Sequence, residues 1–289
     1  MDIPGQKEPV QANLVSGKEA KSELSTKEEA DKIKEIVENS PFIVESIKSG
    51  ERIKNAPLPF ITSSLQQEAS KVLNFSTQKT MRIAQQLYEG IDLKGEGTVG
   101  LITYLRTDST RISEEAIQLA QEYITEEYGP QYSSVFQQNK KNTGKVQDAH
   151  EAIRPSDIKR SPVMVKTSLS RDQFRLYQLI WKRFCASRMT QAKYDTFSVR
   201  LESGGYPFSI ATSKLSFEGF LCVYTTDEDE KTESNSKLNS LKVKDELILN
   251  EVVNNQHYTQ APAHYTEATL VKMLEELGIG RPSTYSPTI

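Results

Sequence analysis

Cysteine is scarce in this chain, with two among 289 residues. Cys185 and Cys222 lie far apart and form no metal-spaced pair, and a zinc ribbon would need four close cysteines. A disulfide framework is equally excluded, so two reduced, partly buried thiols in a reducing cytoplasm are expected. No apolar run approaches the ~20 residues of a membrane-spanning helix. No signal peptide opens the chain. No P-loop is present, so no nucleotide is expected. There is no internal repeat. The net charge of −3 argues against a protein that coats DNA generally.

What is present is a polar but globular composition. Hydrophobic residues make up 36%, and the mean hydropathy is −0.55. The length suits one large domain or two smaller ones. Charge is spread unevenly. Residues 140 to 190 hold twelve Lys or Arg against four acids, whereas residues 227 to 251 hold eight acids against four lysines. A basic region on a mildly acidic protein fits a local nucleic-acid track, and it fits a solvated helix face equally well.

Local signals divide the chain. Residues 1 to 24 are polar, with a short strand. Ser25 or Thr26 can cap a helix over Lys27 to Glu38, and Glu28 and Glu29 are placed for a capping box. Phe42 to Ile53 alternates as a half-buried strand does, and Pro57 and Pro59 mark a boundary. From Ser63 to Arg188 the pattern is mainly helical. Leu65, Ala69 and Val72 recur at helical spacing, as do Met81, Ala84, Leu87 and Tyr88. Ser113 can cap a helix over Glu114 to Tyr128, and Gly129-Pro130 stops it. Residues 131 to 143 read as a loop. Ser170 can cap a helix whose stripe of Phe174, Tyr177, Ile180, Trp181 and Phe184 reads as core. After Gln191 the period changes. Thr196 to Glu202, Tyr206 to Thr212, Phe220 to Thr225 and Leu247 to Val253 read as strands, with Ser203-Gly-Gly205 as a hairpin turn. Residues 226 to 240 read as a charged, Ser-rich loop. A last helix covers Thr266 to Leu277, with Gly278 at its end.

The stretch Gly100-Leu-Ile-Thr-Tyr-Leu-Arg-Thr-Asp-Ser-Thr110 carries the chemistry. Ile102, Thr103 and Tyr104 are β-branched or aromatic, so the stretch reads as extended chain. There, positions i and i+2 share a face, which points Tyr104 and Arg106 the same way. A phenol with a pKa of roughly 10 is little ionised near neutral pH, so one that attacks a phosphodiester needs a cation beside it. A guanidinium can hold the phosphate with paired hydrogen bonds and stays protonated throughout. Spacing alone leaves a half-buried strand with a packed Tyr and a solvated Arg open.

His150 and Arg154 lie four apart in Ala149-His-Glu-Ala-Ile-Arg-Pro155, where one helical turn would put both on one face. His150-Glu151 is not a zinc motif, because no second His follows at the needed spacing. Two further patterns are set aside. Gly95-Glu-Gly-Thr-Val-Gly100 spells a dinucleotide fingerprint, but it precedes a strand instead of joining a strand to a helix. Asp227-Glu-Asp-Glu230 sits in a low-complexity loop and reads as solvated charge.

The tyrosine stretch closely resembles the active-site motif of bacterial type IA DNA topoisomerases. Four more segments resemble the same family in the same order, reaching from about position 57 to the C-terminus. Pro59-Phe-Ile-Thr-Ser-Ser-Leu-Gln-Gln-Glu-Ala69 and Thr80-Met-Arg-Ile-Ala-Gln-Gln-Leu-Tyr-Glu-Gly90 precede the tyrosine. Gln147-Asp-Ala-His-Glu-Ala-Ile-Arg-Pro-Ser156 follows it, as does Thr266-Glu-Ala-Thr-Leu-Val-Lys272, which runs on to Gly278-Ile-Gly-Arg-Pro-Ser-Thr-Tyr285. That ending is more like topoisomerase I than topoisomerase III.

The resemblance implies a multi-domain α and β fold. A mainly helical domain carrying the nucleophile, 63–190, is inserted into a β arch, 1–62 plus 191–262, as in the toroidal core of these enzymes. Residues 263–289 would begin a further, incomplete helical DNA-binding domain. It implies Tyr104 as nucleophile, Arg106 as the phosphate-holding cation and His150 in phosphate contact or proton handling. Thr103, Arg154, Arg281, Ser283 and Thr284 would contact DNA, with Asp108 capping a turn or positioning Arg106. The implied partner would be single-stranded or underwound DNA, relaxed through a 5′-phosphotyrosine intermediate without ATP or a membrane, in a parent enzyme expected to be monomeric and to act at the cytoplasmic nucleoid. Magnesium would be bound by an acidic domain N-terminal to this region. Its Asp-x-Asp-x-Glu motif is absent here, so the chain is expected to be a piece of a longer enzyme that holds no metal itself. A DNA-binding clamp without chemistry and a topoisomerase III-type decatenase remain as alternatives.

Overall fold

The computed structural model describes residues 1, 9–15, 24, 26–134, 150–226, 238 and 241–289. Ser25, Lys140, Lys141, Lys145, most of the loop expected over 131–143 and the acidic run at 227–230 lie outside them. Along the described chain run β1 (Asn13–Leu14), α1 (Lys27–Glu38), β2 (Phe42–Lys54), α2 (Thr62–Leu73), α3 (Thr77–Glu89), β3 (Ile91–Leu93), β4 (Gly97–Val99) and α4 (Glu114–Glu127). They are followed by α5 (Pro162–Val165), α6 (Arg171–Ser187), β5 (Ala192–Ser203), β6 (Tyr206–Phe217), β7 (Glu246–Leu247), α7 (Glu267–Glu276) and α8 (Tyr285–Thr288). The whole is a mixed α and β chain.

It divides into two compact units. The first comprises Met1–Lys54, Lys193–Phe217 and Thr226–Ala261; the second comprises Asn55–Ala192, Glu218–Thr225 and Pro262–Ile289. The chain crosses between the two units after residues 54 and 192. The C-terminal residues, set apart in the sequence as a further domain, cluster with the helical unit.

The first unit is a five-stranded sheet in the order β1-β6-β5-β2-β7. The β1–β6, β5–β6 and β2–β7 pairs are antiparallel. The β5–β6 hairpin closes through Gly204 and Gly205, with φ of 56° and 84°. Both central residues of this two-residue turn need positive φ, which glycine adopts without a steric penalty. Val37, Phe42, Val44, Val199, Leu201 and Phe208 belong to the core beneath the sheet. Phe208 meets Phe42 edge-on with centroids 5.0 Å apart.

The second unit is mainly helical, and its helices begin where capping chemistry places them. Ser113, Ser170 and Thr266 each accept a hydrogen bond from the backbone N–H three residues on, as Thr26 does in the first unit. Tyr177, Ile180, Trp181 and Phe184 of α6 are buried, as the stripe requires. The Trp181 indole N–H donates to the Ile158 carbonyl at 2.8 Å, so its polar edge is satisfied inside the core. In α2 the buried stripe is Leu65, Ala69 and Leu73; Val72, expected within it, faces solvent.

Three expectations need correction. Phe220 to Thr225 is not a strand: Gly219–Cys222 forms a 3₁₀ turn. A continuous apolar run has no period by which to tell strand from buried turn. Here Gly219, at φ of 51°, lies so close to the Thr190 and Gln191 carbonyls that a Cβ would sit 2.5 and 2.4 Å from their oxygens. The last strand is only Glu246–Leu247, because β7 pairs with β2 at Phe42 and Ile43 alone. Finally, 150–155 is extended, not helical: Ile153 bridges to Phe60 and Pro155 to Ile102. Proline biases the residue before it towards extended backbone.

Both thiols are raised by burial, Cys185 to about 12 and the more exposed Cys222 to about 11. Gly95 and Gly97, the start of the dinucleotide-like pattern, belong to the β3–β4 hairpin, at φ of 90° and 78°.

Candidate active site

The segment from Gly100 to Arg111 is held by hydrogen bonds without forming a regular strand. At its start the Leu101 N–H donates to the Leu87 carbonyl at 2.7 Å, which ties the segment to the last turn of α3. Gly100 passes so close to this turn that a Cβ would lie 2.7 Å from the Tyr88 oxygen, and only glycine permits that approach. Further along, the Thr103 N–H donates to the Arg154 carbonyl at 2.9 Å, and the Thr103 hydroxyl donates to the Ala152 carbonyl at 2.7 Å. At the far end the Thr62 hydroxyl, buried at the head of α2, donates to the Leu105 carbonyl at 2.8 Å. It accepts from the Thr107 N–H at 2.9 Å.

These anchors impose alternation where the hydrogen-bond ladder of a sheet is missing. Leu105, Thr107 and Ser109 are buried, whereas Tyr104, Arg106 and Asp108 are exposed. Tyr104 and Arg106 therefore lie on one side of the segment, as the two-residue spacing requires. Replacing Thr62 by Val keeps the side-chain volume but strands a buried N–H and a buried carbonyl. We expect a loss of about 1–3 kcal/mol in unfolding free energy, measured by urea denaturation.

Tyr104 is 37% exposed. His150 stacks on it, with ring centroids 5.2 Å apart and an interplanar angle of 29°. Tyr88 meets it edge-on at 5.6 Å and 68°. The structure thus brings together Tyr104 and His150, which stand 46 positions apart in the chain. Arg106 is exposed and forms no ion pair among the described residues. Its guanidinium is available to an anionic group approaching Tyr104.

Arg154 is placed differently. Its Nε donates to Glu151 Oε2 at 2.9 Å, and its second guanidinium nitrogen forms an ion pair with the same oxygen at 2.7 Å. It also donates to the Pro155 carbonyl, and its side chain is largely covered. The arginine expected to touch DNA is therefore engaged within the protein, while its backbone braces Thr103.

Arg281, Ser283 and Thr284 are exposed on the turn before α8. The Thr284 hydroxyl accepts from the Arg281 N–H at 2.8 Å, which orders the turn. Beside it Tyr285 is buried, and burial raises its phenol above the ordinary value; Glu275 and Asp108 raise it further, while Arg281 opposes them. α7 is joined to the same helices by its carboxylates. Glu275 accepts from the Ser63 hydroxyl at 2.6 Å and from the Gln67 amide at 3.3 Å. Glu267 accepts from the Thr77 N–H at 2.6 Å, at the first turn of α3, where a carboxylate is favoured.

One residue beside Tyr104 was not singled out by sequence: Tyr88, counted with an apolar stripe. The signal available was the unusual cost of exposing a large ring at position 88, and it becomes visible only in three dimensions. Among the described residues, no three of His, Cys, Asp or Glu come together in a way that could hold a metal ion. No helix among them is long and apolar enough to cross a membrane.

A family model described as DNA topoisomerase matches residues 4–289. Among solved structures, the fold is similar to that of full-length topoisomerase I from Thermotoga maritima, with a TM-score of 0.77 and 37% identity. The match covers 96% of this chain and 45% of that one, so the chain spans less than half the length of that protein.

Proposed function

The chain belongs to the type IA DNA topoisomerase family, and from this premise we propose that it is the strand-cleaving core of such an enzyme, with Tyr104 as nucleophile. The observation that carries the proposal is an exposed tyrosine on the same side of one anchored segment as an exposed arginine that forms no ion pair among the described residues. The phenolic oxygen attacks the phosphorus of a single-stranded or underwound DNA. A phosphotyrosine bond forms, the bond to the 3′ oxygen breaks, and that oxygen leaves as a hydroxyl with a proton. The charge gathering on the phosphate oxygens is met by the Arg106 guanidinium. His150 lies against the nucleophile in a position to contact the phosphate or pass the proton. Thr103, braced on the Ala152 and Arg154 carbonyls, contacts the bound strand together with Arg281, Ser283 and Thr284. The phosphotyrosine bond keeps much of the energy of the broken link, so reversal reseals the DNA without ATP after the other strand has passed. The residues described here do not fit a magnesium site, and no step is derived through that ion; we assign it to the acidic domain of a longer, monomeric parent acting at the cytoplasmic nucleoid.

The polarity is testable with end-labelled oligonucleotides and the full-length enzyme. A 3′ label becomes attached to protein in denaturing gels, and a 5′ label does not. Attachment of the 5′ label would refute the mechanism. A second expectation concerns the chain alone: residues 1–289 do not relax negatively supercoiled plasmid in magnesium, as read on agarose gels. Relaxation by the purified chain would overturn that division of labour.

A further inference from the structure

Tyr88 has no part in the mechanism so far, yet its placement is unusual. It lies on the last turn of α3, next to the buried Leu87, and is 39% exposed. Its ring and that of Tyr104 meet in a T-shaped pair, and its hydroxyl forms no hydrogen bond among the described residues. Tyr104 is thereby gripped in two geometries, edge-on by Tyr88 and face-on by His150. One such contact leaves a ring free to slide or tilt. Two at different angles restrict both motions, since each aromatic arrangement has its own preferred orientation. The same turn of α3 also anchors the backbone, through the Leu87 carbonyl and the close pass of Gly100 at Tyr88. A single helical turn thus locates the root of the nucleophile segment and the ring at its tip.

We propose that Tyr88 is a positioning residue for strand cleavage: with His150 it holds the Tyr104 ring so that the phenolic oxygen meets the phosphate bound by Arg106. The proposal rests on the assignment of Tyr104 as nucleophile. Fixing a reacting atom in advance lowers the barrier, and small misplacements slow reactions steeply. The contact uses the ring and not the hydroxyl, which separates it from a proton relay. The partner of the ring is Tyr104 and not a base, which separates it from a stacking platform for DNA.

The test is single-turnover cleavage of a 3′-labelled oligonucleotide by the full-length enzyme at saturating DNA. Tyr88→Leu slows adduct formation about tenfold, the equivalent of a lost aromatic pair, while oligonucleotide affinity changes less than about twofold. Tyr88→Phe restores the rate. A fluorinated tyrosine at position 104, followed by fluorine NMR, changes its signal in Tyr88→Leu and keeps it in Tyr88→Phe. The proposal is overturned if the Leu variant cleaves at the original rate, if the Phe variant is as slow as the Leu variant, or if the loss falls on affinity. An unmoved fluorine signal in the Leu variant overturns it too. If the unaltered enzyme forms no adduct, the nucleophile assignment falls and takes this proposal with it; if it does and Tyr88→Leu matches it, only the role of Tyr88 falls.

Discussion

Tyr104→Phe is expected to abolish the covalent DNA adduct while leaving the protein folded and able to bind single strands. The substitution removes one oxygen from a residue that is 37% exposed, and the Phe ring keeps both aromatic contacts. Neither the core nor the anchors of the segment are touched, because Leu101, Thr103 and Thr107 are held through their own atoms. Loss of the adduct with unchanged melting temperature and oligonucleotide affinity therefore isolates the chemistry. An adduct that persists would move the nucleophile elsewhere, with the neighbouring Tyr88 the first residue to examine. In a clamp without chemistry neither protein would form an adduct at all, so the unaltered enzyme separates the two readings.

Arg106→Ala should slow cleavage by about 10²–10³-fold, the range seen when a preorganised donor to a developing oxyanion is removed. The effect should fall mainly on the rate at saturating DNA, since charge accumulates on the phosphate as the bond changes. Lysine should restore only part of the rate, because an ammonium is a point charge without the planar fork of a guanidinium. Because Arg106 is exposed and forms no ion pair among the described residues, its removal strands no buried acid, and stability should hold. A rate within a fewfold of the original in Arg106→Ala would remove this residue from the reaction.

How much of this was legible in the sequence depended on the range of the interaction. Helix starts at Ser113, Ser170 and Thr266 are set by side chains bonding three residues away, and they were readable. The Gly204-Gly205 turn is likewise local. The facing of Tyr104 and Arg106 was legible from spacing, although the cause is different: discrete anchors from Thr62 and the Ala152–Arg154 stretch take the place of a strand ladder. The extended course of 150–155 was missed because its bridges reach Phe60 and Ile102, far away in the chain. The same holds for Arg154, whose pairing with Glu151 follows from that course. The clustering of 262–289 with the helical unit depends on carboxylates that meet α2 and α3 roughly two hundred residues earlier in the chain.

The alternation from Tyr104 to Ser109 has a consequence for what the molecule tolerates. Nucleophile and cation share one parity, and the side chains that hold the loop down have the other. A single codon gained or lost between the two ends would exchange the parities, sending the phenol inward and a leucine outward. Substitutions here are graded, but length is all-or-none. The count of residues in this short span is as much a part of the catalyst as the groups it displays.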